Sequence, residues 1–337
     1  MDFNFTRYIT NTQKIINSGK TLEERQKLKA AIDVINCVAR YRGWSDSEHK
    51  SKVLEALTND KLFFSTALGY NDPYDTLIYI DWDRLSSDIK FDLDHFSDYV
   101  STLDTSKNPV NQFAKYLSGA PFIQETMRHN FLDLIHREVD DITKGIHDNI
   151  KGICFSLNPN SILMWSHYAH NHEGISLLYD KEELKKADVY DCNGNKLNHR
   201  FLLEEIIYSD RRVDGTAAVS NYILHKHQQY IPIKAFGKIF PFPYSDFKKI
   251  ILTKNSEWSY EKEVRLIPQK LDFETSNPCS YIKIRPKAII MGAKISSDDK
   301  ADIRAIAKKL KITLYQAHLS GIHEYKMYFD CDDCKHY

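Results

Sequence analysis

The sequence predicts a single α+β domain spanning residues 1–337. A helix-rich first half precedes a strand-rich second half, and strands and helices do not alternate as a doubly wound sheet requires. No internal repeat or low-complexity linker divides the chain.

The elements follow from the spacing of apolar residues. Leu22 to Val38 is rich in Glu, Lys, Ala and Leu, with Leu28, Ala31, Ile32 and Ile35 at helical intervals, so residues 1–37 are expected to form a helical N-terminal segment. Val53, Leu54 and Leu57 mark a short helix, and residues 61–65 a buried strand. Asn71-Asp-Pro-Tyr74 reads as a turn, because Asn and Asp start turns and Pro fixes φ. Residues 85–148 are expected to be a helical insertion, with Phe131, Leu134, Ile135 and Val139 on one face. After this the period changes. Strands are expected at 152–156, 174–179, 204–208, 264–267, 281–285 (half-exposed), 288–292 and 312–315, the last closing the fold. Helices are expected at 162–170 and 215–236. Residues 248–253 extend the second of these or begin the next element. Ser296-Ser-Asp-Asp299 has the form of a capping box before the stripe Ile303, Ile306, Ala307 and Leu310.

Composition narrows the functional classes. The chain is 42% hydrophobic and 27% charged, and Lys+Arg and Asp+Glu both total 46, so no global field favours nucleic acid or an anionic membrane. Glycine is scarce at 12, and neither G-x-G-x-x-G nor G-x-x-x-x-G-K-[ST] occurs, which argues against Rossmann and P-loop proteins. The N-terminus lacks the basic-then-apolar pattern of a secretory signal and no apolar run reaches the length of a membrane span. A cytoplasmic protein without membrane association, with reduced thiols, is the expectation. Cys331 and Cys334 read as a terminal pair lacking a second ligand pair at zinc spacing.

Several side chains could carry chemistry. In extended backbone Glu261, Glu263 and Arg265 would share one face and Lys262 the other. Two carboxylates there can raise each other's pKa or grip a polyhydroxylated ligand, and the same residues suit a structural Glu–Arg ion pair. Trp165 and Tyr168, three apart on a helix, could stack a planar ring or pack in the core. His167, His170 and His172 lack an obvious third ligand of fixed position, so no metal is expected. Asn71, Asp72 and Asp75 could shape a loop or position a polar group. Arg40 and Arg42 share a side if Tyr41 lies in a strand, where they suit a phosphate or carboxylate, or a surface salt bridge.

Four patterns in order resemble a widespread bacterial family catalogued only as a domain of unknown function. They are Arg40-Tyr41-Arg42 ahead of Leu57–Ser65; Tyr70-Asn-Asp-Pro-Tyr-Asp75; Phe155-Ser156 with Met164-Trp-Ser-His-Tyr-Ala169 and His172-Glu-Gly174; and Trp258-Ser-Tyr-Glu-Lys-Glu-Val-Arg265. The similar stretches run from residue 38 to about 320. The layout is also similar to the ADP-ribosyltransferase superfamily, an analogy of arrangement. It implies a small split mixed or antiparallel sheet clasping NAD. Arg40 or Arg42 would hold the pyrophosphate or ribose, Ser156 would brace ribose and glutamate, and Tyr168 or Trp165 would stack the nicotinamide. Glu263 would bind the ribose 2′-hydroxyl as charge develops at the anomeric carbon, and Glu261 would orient the acceptor. The setting would be a toxin or phage-defence effector acting on a protein or nucleic-acid acceptor, with a cognate antitoxin or defence partner. Two alternatives stand beside it. One is a metal-dependent nuclease using Asp72, Asp75 and Glu261-Lys-Glu263; the other is a non-enzymatic sensor or binding module.

Overall fold

The computed structural model describes residues 36–44, 47–85, 87, 121–227, 241–272, 276–319, 325 and 327–332. The expected N-terminal helix falls mostly outside these residues, as do 88–120 of the expected insertion and Cys334. Where the expected first helix reaches the described chain it is corrected: Cys37 and Val38 open strand β1, Cys37–Arg42. β-Branched Val38 packs in one core cluster while Ala39 and Tyr41 pack in another, an alternation that suits a pleated strand better than a helix end.

Helix α1, Ser47–Thr58, forms around Val53 and Leu57 as expected. The expected strand at 61–65 is two pieces, β2 (Lys61–Phe63) and β3 (Ser65–Thr66), which join different sheets. Helix α2, Pro121–Asn149, buries Ile135, Val139, Ile142 and Ile146, spaced three or four apart. Strand β4, Lys151–Ser156, leads into α3, Ile162–Tyr168, whose first turn is capped by the Ser161 hydroxyl accepting from the Met164 amide. Strand β5, Ile175–Asp180, runs straight into α4, Lys181–Lys186, because the Asp180 carboxylate caps it.

The hairpin β6 (Val189–Tyr190) and β7 (Lys196–Leu197) was not expected from the sequence. The expected strand at 204–208 is broken at Ile206 into β8 (Phe201–Glu205) and β9 (Ile207–Ser209). Helices α5 (Thr216–His227) and α6 (Tyr244–Ile251) follow, then β10 (Thr253–Asn255), a 3₁₀ turn over Ser256–Glu261, and β11 (Glu263–Pro268). Strand β12, Tyr281–Lys283, is shorter and more buried than expected. Strand β13 (Ala288–Met291), helix α7 (Ser297–Leu310) and strand β14 (Thr313–Leu319) come next. β14 does not close the fold, since β15, Met327–Cys331, pairs along it.

The fold is α+β, with a mixed main sheet in the order β15-β14-β13-β5-β1-β4-β11-β8 and β3 attached to β4. Among the described residues only β13 and β14 pair in parallel within it, and α7 supplies the crossover that a parallel pair requires. A second sheet runs β2-β12-β6-β7, and β9 and β10 form a parallel pair. One core cluster, including Val38, Phe155, Ile175, Leu177, Val264 and Leu266, covers one face of the main sheet. The alternate residues Ala39, Tyr41 and Leu178 pack with Trp165, Ile290 and Tyr315 on the other. A separate cluster joins α2 to α5 and α6 through Ile146, Val219 and Phe247.

The sheet is forked. β1 pairs with β5 along all six residues but touches β4 at the single pairing Ala39↔Ser156. The other end of β4 is taken by β3, through Ser65↔Gly152 and Thr66↔Lys151.

Candidate active site

A cavity of about 210 Å³ sits in this fork. β1 contributes Arg40, Tyr41 and Arg42, and β4 contributes Cys154 and Ser156. The 70–71 loop contributes Tyr70 and Asn71, α3 contributes Tyr168, and the 254–265 stretch contributes Lys254, Glu261, Glu263 and Arg265. Residues far apart in sequence meet because the strand register aligns them. Ala39 lies beside Ser156, and Ser156 beside Glu263, across three adjacent strands.

The carboxylates are not arranged as an unbroken extended strand would place them. Glu261 ends the 3₁₀ turn, and Lys262 is left-handed at φ 45°, so only Glu263 and Arg265 belong to β11. Lys262 points out to solvent, away from the lysine role of the nuclease reading. The turn still delivers both glutamates to one cation. Lys254 Nζ lies 2.7 Å from Glu261 Oε2, 3.3 Å from Glu263 Oε2 and 3.8 Å from Asp75 Oδ2. The Trp258 ring caps it at 4.9 Å. Arg265 reaches Glu263 through Nε at 2.6 Å and Asp75 through both terminal nitrogens at 2.9 and 2.5 Å, with the Tyr70 ring 4.5 Å from its guanidinium carbon. Arg265 is 1% exposed, so these bonds replace water completely.

The same partners set the ionisation. Burial pushes the Glu263 carboxyl up, but Arg265 and Lys254 outweigh it and hold the group well below the usual carboxylate range. Burial opposes charge on Lys254, and Glu263, Glu261 and Asp75 overcome it and raise that pKa. Burial pushes the Asp75 carboxyl up, against the pull of Arg265. Burial also pushes the Cys154 thiol up, to about 12, so it stays a neutral thiol beside Glu263.

A hydrogen-bond chain braces Glu261. The Asn71 amide donates to the Tyr168 hydroxyl, and that hydroxyl donates to Glu261 Oε1 at 2.5 Å. Ser156 Oγ donates to the Glu261 carbonyl at 2.6 Å, so it fixes the backbone of the glutamate turn rather than a carboxylate. The Tyr41 hydroxyl donates to the Asn158 carbonyl and holds the loop after β4.

Arg40 and Arg42 face this cluster without carboxylates of their own among the described residues. Among the described residues, Arg40 Nε and Nη1 are buried with no hydrogen-bond partner. Arg42 reaches only the Tyr41 carbonyl, at 3.4 Å. Burial and the neighbouring Arg40 push the Arg42 pKa down, to about 9. Two half-buried guanidinium groups side by side are costly, and an anion between them would relieve that cost.

Gly174 makes the end of β1 buildable. A Cβ there would lie 2.2 Å from the Arg42 carbonyl oxygen. The chain arrives through His170, Asn171 and His172, all at positive φ. Those histidines serve this turn. His170 lies beside Glu173, and His172 stacks on Trp165 and contacts the Ser166 hydroxyl. Among the described residues no group of three His, Cys, Asp or Glu side chains is placed to hold a metal.

Most residues singled out from sequence therefore meet: Arg40, Tyr41, Arg42, Asn71, Ser156, Tyr168, Glu261, Glu263 and Arg265 line one cavity. Two do not. Trp165 is wholly buried, with its indole N–H donating to the Pro159 carbonyl, so it supports α3 from within the core. Asp72 is buried in its turn, where its carboxylate accepts from the Tyr74 amide. Lys254 was missed. It lies in an ordinary-looking Thr-Lys-Asn stretch, and only its distance from three carboxylates reveals its part.

Fork, buried charge cluster and unpaired arginines define an α+β chain with a polar, anion-competent cavity. Residues 164–266 match the model of a family described as "Protein of unknown function (DUF2971)". The match takes in Tyr168, Lys254 and the Glu261–Arg265 stretch and leaves out Arg40, Arg42, Asn71, Asp75 and Ser156. It is narrower than the 38–320 span of resemblance in the sequence. No curated protein and no solved structure matches the chain. No helix among the described residues is long and apolar enough to cross a membrane.

Proposed function

We propose that this chain is an ADP-ribosyltransferase-like protein that uses NAD. The observation that carries the reading is that Arg40 and Arg42 of β1, Ser156 of β4 and Glu263 of β11 line one cavity. The orphaned nitrogens of Arg40 fit the residues to a pyrophosphate, whose paired anionic oxygens suit two guanidinium forks. NAD would supply an ADP-ribosyl group: the bond from the ribose anomeric carbon to nicotinamide breaks, nicotinamide keeps the electron pair, and the carbon bonds to an acceptor that loses a proton.

The chain's own groups have separable tasks in this reading. Glu263, kept ionised by Arg265 and Lys254, stabilises positive charge building on the ribose. Ser156 sets the height of the glutamate turn. Tyr168, locked between Asn71 and Glu261, offers its ring edge to the bound base. At about 210 Å³ the cavity takes the reacting end of a dinucleotide and leaves the remainder outside. A cytoplasmic toxin or phage-defence effector restrained by a cognate partner is the setting this activity fits, since unrestrained NAD turnover depletes its host.

Glu263→Gln is expected to lower NAD turnover by about 100-fold or more, with toxicity on expression lost in parallel. Turnover equal to wild type would end this reading. A nuclease is the second reading, because Asp75, Glu261 and Glu263 all approach Lys254, but among the described residues no such group is placed to hold a metal, which leaves the transferase reading ahead. Magnesium-dependent cleavage of nucleic acid that survives Arg40→Ala would reverse the preference.

A further inference from the structure

Lys254 is a wall of two cavities. The second, of about 240 Å³, is bounded by the turn at Tyr74 and Leu77, by Arg211 and Arg212 after β9, and by Ile250 of α6. The two cavities also share the 71–75 turn, since Asn71 lines the first, Tyr74 lines the second, and Asp75 ties the turn to Arg265.

Its chemistry is distinct. Leu77, Val213 and Ile250 give apolar surface, and Tyr74 and Tyr79 stand 61% and 46% exposed beside it. The Arg212 guanidinium carbon lies 5.9 Å from the Tyr74 ring and 6.0 Å from the Tyr79 ring, and Nη2 donates to the Ile78 carbonyl at 2.8 Å. The local acids are engaged elsewhere. Asp210 accepts from the Ser256 hydroxyl, and Asp214 pairs with Arg84 at 2.8 Å while accepting from the Thr216 amide. Neither Arg211 nor Arg212 has a carboxylate partner among the described residues. Exposed rings set against unpaired guanidinium groups suit a planar base and its phosphate better than a peptide side chain.

We infer that this second cavity binds single-stranded nucleic acid, with a base against Tyr74 and Tyr79 and its phosphate on Arg211 and Arg212, and presents it as acceptor across Lys254. This rests on the transferase reading for the chemistry. A nucleophilic oxygen or nitrogen of the nucleic acid forms the new bond to the anomeric carbon as nicotinamide leaves, and its proton passes to solvent. The binding half stands on the second cavity alone.

The test is fluorescence anisotropy of a short fluorescein-labelled oligothymidine with the full chain, at low and at physiological salt. Wild type and the distant surface variant Lys287→Ala are expected to bind alike, more weakly as salt rises. Arg212→Ala and Tyr74→Ala should each weaken binding by about tenfold. No binding by wild type, or binding by both cavity variants equal to that of wild type, overturns the inference. So does donor-dependent labelling of protein with the oligonucleotide left unmodified. Calorimetry with NAD on the same samples separates the two claims: oligonucleotide binding without NAD binding ends the transferase reading and supports the nucleic-acid site.

Discussion

At the scale of single residues, the cavity opposes two kinds of buried charge. Asp75, Glu263 and Arg265 satisfy one another, whereas Arg40 does not. Arg40→Met should therefore stabilise the empty protein by about 1 kcal/mol in urea unfolding, because it removes a desolvated, unpaired cation. The same variant should weaken pyrophosphate or NAD binding by about tenfold or more in calorimetry, and unchanged affinity would show that Arg40 is not an anion ligand. Glu263 gives a pH signature. Its folded pKa lies below the ordinary 4.5, so its contribution is complete above that value and is lost as pH falls toward about 2. Asp75, raised by burial, acts in the opposite sense and offsets part of this above its ordinary 3.8. The urea midpoint of wild type should fall more steeply between about pH 5 and 3 than that of Glu263→Gln.

At the scale of elements, residue identity was more legible than local path. The E-x-E spacing singled out the right glutamates, yet a period-two reading put them on one strand. A 3₁₀ turn and left-handed Lys262 bring Glu261 round to the same lysine instead. No sequence signal marks that turn, because Lys262 is an unusual residue for φ 45° where glycine is the usual choice. Lys262→Gly is accordingly expected to be neutral or stabilising by up to about 1 kcal/mol, with NAD turnover retained. A loss of stability would mean the Lys262 side chain contributes contacts beyond its backbone conformation. The capping box at Ser296 was readable because both partners are local, and Ser296 Oγ accepts from the Asp299 amide at 3.1 Å as the pattern requires. The break at Ile206 was not, since its cause is distant: the Ile206 amide donates to the Glu263 carbonyl.

At the scale of the whole molecule, the α+β class followed from the order of helix-rich and strand-rich halves, and the sheet did not. The neighbours of β1 are β5 and β4, and β15 lies beyond β14 at the edge. Such pairings are set by contacts over long separations, to which periodicity is blind. The fork was invisible for the same reason, since it depends on β3 displacing β1 from one end of β4. Lys254 enters the site on β10, which pairs with β9 outside that sheet.

The Asp75–Arg265 pair spans 190 positions of the chain. During synthesis the first half of the cavity, with both unpaired arginines, leaves the ribosome long before either glutamate. Glu263 reaches its place beside Ser156 only when β11 has emerged and paired with β4. On the transferase reading, the growing chain would lack its catalytic carboxylate until β11 is made.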